Sequence, residues 1–227
     1  MQVKTEHAMI KDVLSARAFF RAMNAIHGMK EWKVLDAFAR NGDLTVSSYI
    51  SWINSTNLEC WELSPQHEHT LKTYTRDVKI GCSYQRLQSI APDQKYDMVV
   101  IDTPQGLHKD ANGMLRVEHF SFLQSAMKLV GKKCMFVLYV NKWPYDKSKE
   151  GSHGYDEYDE YDYSAWMADR TDFYGASHFT EVTALLAYTQ LVEDAGLSVA
   201  NMLMVPCLSD VPGKEPYAFR LGLEVTR

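Results

Sequence analysis

The sequence predicts a three-layer α/β protein, with a seven-stranded, mostly parallel sheet covered by helices on both faces. Three observations predict it. Strand-like and helix-like segments alternate through five strands, the pattern of a parallel sheet. YDMVVID (96–102) is a continuous apolar run, as expected of a strand buried on both faces. The last two strand candidates are joined as a hairpin, so one strand must run antiparallel.

The elements follow in order. Met9, Val13, Ala16, Phe20, Met23 and Ile26 recur at three- and four-residue steps, which predicts a helix over 6–27 with Thr5 as N-cap and Gly28 as stop. WKVLDAF (32–38) reads as the first strand and 44–53 as a helix, despite its β-branched residues. LECWEL (58–63) is the second strand, after which Ser64 and Pro65 suit an N-cap and a first helical position. Residues 78–82 form the third strand and 96–102 the fourth. Val117, Phe120, Leu123, Met127 and Val130 lie in register for a helix over 117–130. CMFVLYV (134–140) is the fifth strand, and 179–195 is a helix ending at Gly196. VANMLMV (199–205) and AFRLGLEV (218–225) close the chain around a turn at Pro212 and Gly213. No internal repeat or second domain is visible, so 1–227 reads as a single domain with 1–29 as an N-terminal helix.

Composition excludes several classes. The chain of 227 residues is 46% hydrophobic and 23% charged, which is incompatible with extended disorder. Each long apolar run is broken by a charge before it is long enough to span a membrane. MQVKTEHAMIKDV has no apolar core of the kind a secretory leader needs. Cys60, Cys82, Cys134 and Cys207 are too dispersed for a zinc motif and read as reduced cysteines in a cytoplasmic compartment. His67 and His69 are i and i+2 on an expected helix and do not face each other, so no metal is expected there. The net charge of −5 gives no global basic footprint for nucleic acid.

One segment departs from the pattern. Residues 143–178 hold six of the thirteen tyrosines and nine acidic residues against three basic ones, a local charge of −6. YDEYDEYDY (155–163) is its low-complexity centre. The segment reads as a long acidic–aromatic loop after the fifth strand, either a solvated surface loop or one with room to cover the carboxyl edge of the sheet and to meet a basic protein partner.

In an open parallel sheet, ligands bind beyond the carboxyl ends of the strands, where the strand order reverses. Three segments end strands there. VLDAFARNGDLT (34–45) places Asp36 at the end of strand one, with Gly42 turning the chain into the next helix. Glu62 ends strand two, twenty residues after Gly42, where a carboxylate can accept two hydrogen bonds from a ribose diol. IDTPQG (101–106) ends strand four, with Asp102 directed at the cleft and Pro104 fixing the turn. Each acid also has a plain structural reading: a turn or capping residue for Asp36 and Asp102, a solvated strand end for Glu62.

These segments resemble the class I S-adenosylmethionine-dependent methyltransferases, over roughly residues 30–140. DAFARNGDLT is similar to the DPFAGSGTT-like first motif of the amino-methylating nucleic-acid enzymes, and IDTPQG to their DPPY-type fourth motif. The resemblance implies a Rossmann-like methyltransferase fold with sheet order 3-2-1-4-5-7-6 and strand seven antiparallel. It implies that Asp36, Phe38, Ala39 and Gly42 line the methionine part of S-adenosylmethionine. Glu62 would hold the ribose, with Leu63 and Ser83 beside the adenine. Asp102, in the catalytic position, would hold the acceptor together with Thr103, Pro104 and Gln105. The acceptor so implied is an amino group of a nucleic acid or a small molecule, and the acidic 143–178 segment disfavours a polyanion from that side.

The pattern is incomplete. The glycine-rich run is reduced to Ala39, Arg40, Asn41 and Gly42, with a bulky Arg40 at the cofactor loop; Ser83 replaces an acidic residue; and the second proline and the aromatic of the fourth motif are missing. Two alternatives stay open at this level. YDMVVIDT is also similar to the strand-four segment of the aminopropyltransferases, polyamine enzymes that share the fold. A methyltransferase fold without activity, acting as a protein-interaction module, is the other.

Overall fold

The computed structural model describes residues 2–43, 45–102, 107–109, 112–113, 115–142, 160–176, 179–207 and 218–227. Nine strands are seen among them: β1 (Val34–Asp36), β2 (Leu58–Glu62), β3 (Asp77–Ile80), β4 (Tyr96–Ile101), β5 (Leu107–Lys109), β6 (Leu115–Val117), β7 (Val130–Asn141), β8 (Ser198–Cys207) and β9 (Ala218–Thr226). Seven of them form one sheet in the order β3-β2-β1-β4-β7-β9-β8, while β5 and β6 pair as a separate antiparallel ribbon. Counted within the large sheet alone, the order is the expected 3-2-1-4-5-7-6. The strands from β3 to β7 pair in parallel, and β9 runs antiparallel to both neighbours. The chain therefore reverses direction across the sheet between β1 and β4, which opens a crevice at their carboxyl ends.

Seven α-helices complete the described part: α1 (Gln2–His27), α2 (Val46–Tyr49), α3 (Glu68–Leu71), α4 (Ser83–Ser89), α5 (Phe120–Ala126), α6 (Glu160–Tyr174) and α7 (Glu181–Asp194). Two apolar cores lie on opposite faces of the sheet. One packs Phe19, Phe20 and Met23 of α1, Tyr49 of α2 and Leu71 of α3 against Val34, Cys60, Met98, Val100 and Val137. The other packs Leu87, Phe122, Leu123, Tyr188 and Val192 against Leu35, Trp61, Val99, Phe136 and Leu138. Alternate residues of one strand thus feed different layers, and β4 and β7 are buried on both faces for that reason. At Gly222 of β9 an added Cβ would lie 3.0 Å from the Phe19 ring, so this glycine lets α1 approach the sheet closely.

Several sequence expectations need correction. Helix α1 starts at Gln2, so Thr5 lies inside it and is not its cap. The segment expected as a helix over 44–53 is one α-turn, Val46–Tyr49, followed by a 3-10 turn, Ile50–Trp52; its β-branched and serine residues support no longer helix. The apolar period over 117–130 crosses three elements: Val117 belongs to β6, the helix is only Phe120–Ala126 with a 3-10 turn behind it, and Val130 opens β7. Glu118, with φ 45°, breaks the helical path between them. Within the segment expected as one long loop, Glu160–Tyr174 is helical. Residues 143–159 and 177–178, and the turn at Pro212 and Gly213, lie outside the described residues. None of the described helices is long and apolar enough to cross a membrane.

Candidate active site

Three carboxylates gather at the carboxyl edge of the central strands. Asp36 is the last residue of β1, paired in register with Cys60 of β2 and Val100 of β4. Glu62 and Asp102 stand two residues beyond those partners. Because side chains alternate along a strand, all three project toward the α1–α2 layer. All three are buried.

Their partners differ. Asp102 accepts a hydrogen bond from the Thr45 hydroxyl at 2.9 Å on one oxygen and from Arg220 Nη1 at 2.8 Å on the other. Arg220 comes from β9, opposite Tyr139 of β7, and its guanidinium lies 5.3 Å from the Tyr139 ring centroid. This buried ion pair ties the end of β4 to β9 across the intervening strand. Glu62 accepts the Arg40 backbone N–H on one oxygen and that of Ser64 on the other, both at 2.8 Å. Asp36 accepts the Tyr49 hydroxyl at 2.9 Å on Oδ2, and among the described residues its Oδ1 has no hydrogen-bond partner. Burial pushes the Asp36 carboxyl up to about 7; the Tyr49 hydroxyl and the Phe38 amide pull it down, while the charges of Asp102 and Glu62 add to the rise.

The loop between β1 and α2 is held from both sides. Ala37 N–H donates to the Val100 carbonyl and Ala39 N–H to the Trp61 carbonyl, each at 3.0 Å. Strand pairing therefore stops at Asp36, not at Phe38, while the chain stays anchored to both neighbours. Arg40 takes φ 49°, a left-handed conformation that aims its N–H at Glu62 and leaves its side chain exposed, outside the core. Gly42 takes φ 78°, and a Cβ there would lie 2.6 Å from the Tyr74 ring. Its missing side chain makes room for Tyr74, three residues past the end of α3.

The other expected residues divide. Leu63 is 60% exposed immediately after Glu62, an apolar surface open to solvent. Ser83 is buried and donates its hydroxyl to the Ala37 carbonyl, joining the start of α4 to the β1 loop. Phe38 packs 4.8 Å from Phe122 and 6.1 Å from Tyr84, ring centre to ring centre. Thr103, Pro104 and Gln105 lie outside the described residues. The β5–β6 ribbon, which the sequence did not disclose, follows them and reaches α4. Arg116 lies 5.1 Å over the Tyr84 ring, and Gln85 donates to the Asn112 side chain at 3.2 Å.

A second buried polar cluster was also missed. Glu118 accepts hydrogen bonds from Arg170 and, at 3.1 Å, from Trp166 of α6. Arg170 also donates to the Asn141 carbonyl at the carboxyl end of β7, at 3.0 Å. His119 shares a 2.7 Å hydrogen bond with the Tyr188 hydroxyl, which lies 3.3 Å from that of Tyr174. Burial and the Arg170 charge push His119 down to about 3, so it is neutral at physiological pH. The signal was the spacing of Trp166, Arg170 and Tyr174 at four-residue steps, one helical face; an arginine in the middle of that face disguised it.

No family model and no curated protein matches the chain in sequence. Among solved structures it is similar in fold to TYW2 from M. jannaschii in complex with AdoMet, at 13% identity and a TM-score of 0.52, covering 93% of this chain and 76% of that one. It is similar to a SAM-dependent methyltransferase from Leishmania major at 14% identity and TM-score 0.53, covering 96% and 73%. A third structure, complexed with SAH, gives 8% identity and TM-score 0.57, covering 88% of this chain and 47% of that one. The fold is the Rossmann-like class I methyltransferase fold.

Proposed function

We propose that the chain is an S-adenosylmethionine-dependent methyltransferase, with its cofactor over the carboxyl ends of β1, β2 and β4. The observation that carries this reading is Glu62, held by the Arg40 and Ser64 amides at the end of β2, one strand from the strand-order reversal, with the open face of Leu63 beside it. Each Glu62 oxygen accepts one backbone hydrogen bond and keeps a lone pair for a ribose hydroxyl. Asp36, Phe38, Ala39 and Gly42 build the loop along the methionine side, and Ser83 fixes that loop from behind. The bound cofactor would supply an activated methyl group on a sulfonium, so the chain's task is alignment of an acceptor about 3 Å away.

Asp102 is assigned to positioning. Taking a proton from the acceptor would leave Arg220 buried without its counter-charge, a costly state. Held by Thr45 and Arg220, Asp102 instead fixes the point from which Thr103, Pro104 and Gln105 would contact the acceptor. Within the acidic 143–178 segment, α6 is anchored at the carboxyl end of β7 through Arg170, next to β4 in the sheet. Its charge favours a neutral or cationic amine, on a small molecule or an accessible nucleobase, over a bare phosphate backbone, and offers a surface to a basic protein. Four buried free cysteines suit a reducing, cytoplasmic setting.

Thermal shift and calorimetry with S-adenosylmethionine, its demethylated product and its decarboxylated form test the cofactor and separate this reading from the aminopropyltransferase one. A ligand at a hundredfold excess over Kd stabilises by roughly 2.7 kcal/mol. Glu62→Ala should weaken cofactor binding about ten- to hundredfold, since hydrogen bonds to a charged acceptor are lost. Glu62→Gln, which keeps one acceptor oxygen, should weaken it less. Unchanged affinity in Glu62→Ala refutes the assignment.

A further inference from the structure

The three carboxylates at the strand ends are compensated unequally. Asp102 has a cation, Arg220, at 2.8 Å. Glu62 has a backbone amide on each oxygen. Asp36 is the most deeply buried of the three, and its Oδ1 has no hydrogen bond among the described residues. Among the described residues, the elements packed around it bring no compensating charge: Tyr49 from α2, Cys60 and Glu62 from β2, and Asp102 from β4. Helix α1 contributes Phe20, whose ring lies 4.9 Å from that of Tyr49. Arg220, from β9, is committed to Asp102. A fully buried carboxyl among acids, with a phenol as its side-chain donor, favours the protonated form until a positive charge arrives.

We propose that Asp36 reads the charge of the ligand and so determines specificity: it holds a proton in the ligand-free chain, releases it to solvent when a sulfonium settles over the three carboxylates, and regains one from solvent when the ligand is the neutral thioether. This rests on the cofactor reading given above. S-adenosylmethionine and its demethylated product carry the same amino and carboxyl groups, so a difference between them isolates the sulfonium. A bound sulfonium and an ionised Asp36 compensate each other, whereas a thioether would leave the ionised carboxylate alone in the interior. Affinity for the cofactor should therefore rise by up to about tenfold per pH unit below pH about 7 and level off above it. Affinity for the product should not follow that slope. The consequence is a site that, above neutrality, prefers the cofactor and lets the product go.

The test has two arms. In the ligand-free chain, carbon-detected NMR of the aspartate carboxyls should show one midpoint near 7, absent from Asp36→Asn. If every aspartate titrates in the ordinary acidic range, the proposal falls and the cofactor reading is untouched. In the second arm, calorimetry at about pH 6 in buffers of different ionisation heat counts protons released on binding. More should be released with S-adenosylmethionine than with its product, by up to about one, and Asp36→Asn should erase the difference. Tyr49→Phe removes a donor that holds the carboxyl down, so both the NMR midpoint and the pH profile of the affinity ratio should move upward together. An unmoved profile, or equal proton release for both ligands in the wild type, overturns the proposal while leaving the cofactor in place. Absence of binding by either ligand overturns both.

Discussion

Replacing Asp36 by asparagine should change the pH dependence of folding, and the size of the change follows from the structure. The folded carboxyl stands at about 7, against about 3.9 for an aspartate in an unfolded chain. Its pKa is raised on folding, so the folded state holds the proton more firmly. The stability associated with that proton is complete below pH about 4 and is lost as the pH rises through about 7. Roughly three units at about 1.4 kcal/mol each give about 4 kcal/mol lost by the wild type across that window. Asparagine is nearly isosteric and its carbonyl still accepts the Tyr49 hydroxyl, but it has no ionisation to suppress. Its amide adds a constant offset, which cancels when two pH values are compared. Urea unfolding of both proteins at pH about 5 and about 8 should show the variant gaining about 3 kcal/mol on the wild type between them. A stability difference that is the same at both values refutes the buried, protonated Asp36.

Two further outcomes test the frame around the site. Arg220→Met leaves Asp102 buried without its counter-charge and should cost about 3–5 kcal/mol by denaturant unfolding, with most of the loss recovered in Arg220→Met/Asp102→Asn; a loss too small to resolve means the pair does not tie β4 to β9. Gly42→Ala adds a Cβ 2.6 Å from the Tyr74 ring at a residue with φ 78°, so about 2–4 kcal/mol should be lost, and a Tm equal to wild type contradicts the packing assigned to this glycine.

The sequence determined the sheet. Seven apolar runs, their alternation with helical periods and the closing hairpin specify a mostly parallel sheet, because a strand covered on both faces has to be apolar along its whole length. It also marked the strand ends where three carboxylates gather, since Asp36, Glu62 and Asp102 each interrupt or follow such a run. Local pattern failed where one periodicity serves several elements. Val117, Phe120 and Val130 point into the protein from a strand, a helix and another strand, and burial alone gave them a shared period. It failed again at α6, where Arg170 occupies a core-facing position made tolerable by Glu118, fifty-two residues earlier, and by the Asn141 carbonyl.

What tertiary structure alone decided is which partners each acid meets. Asp36, Glu62 and Asp102 are equivalent in the sequence, three carboxylates at three strand ends. Arg220 reaches Asp102 from 118 residues away because β9 inserts antiparallel between β7 and β8, and no local signal encodes that reach. Glu62 takes one of its two amides from a loop whose left-handed Arg40 shows no glycine to the reader. Asp36 is left with neutral donors in the buried interior. Ionisation depends on what stands within a few ångströms in space, and the fold, not the order of residues, sets those neighbours.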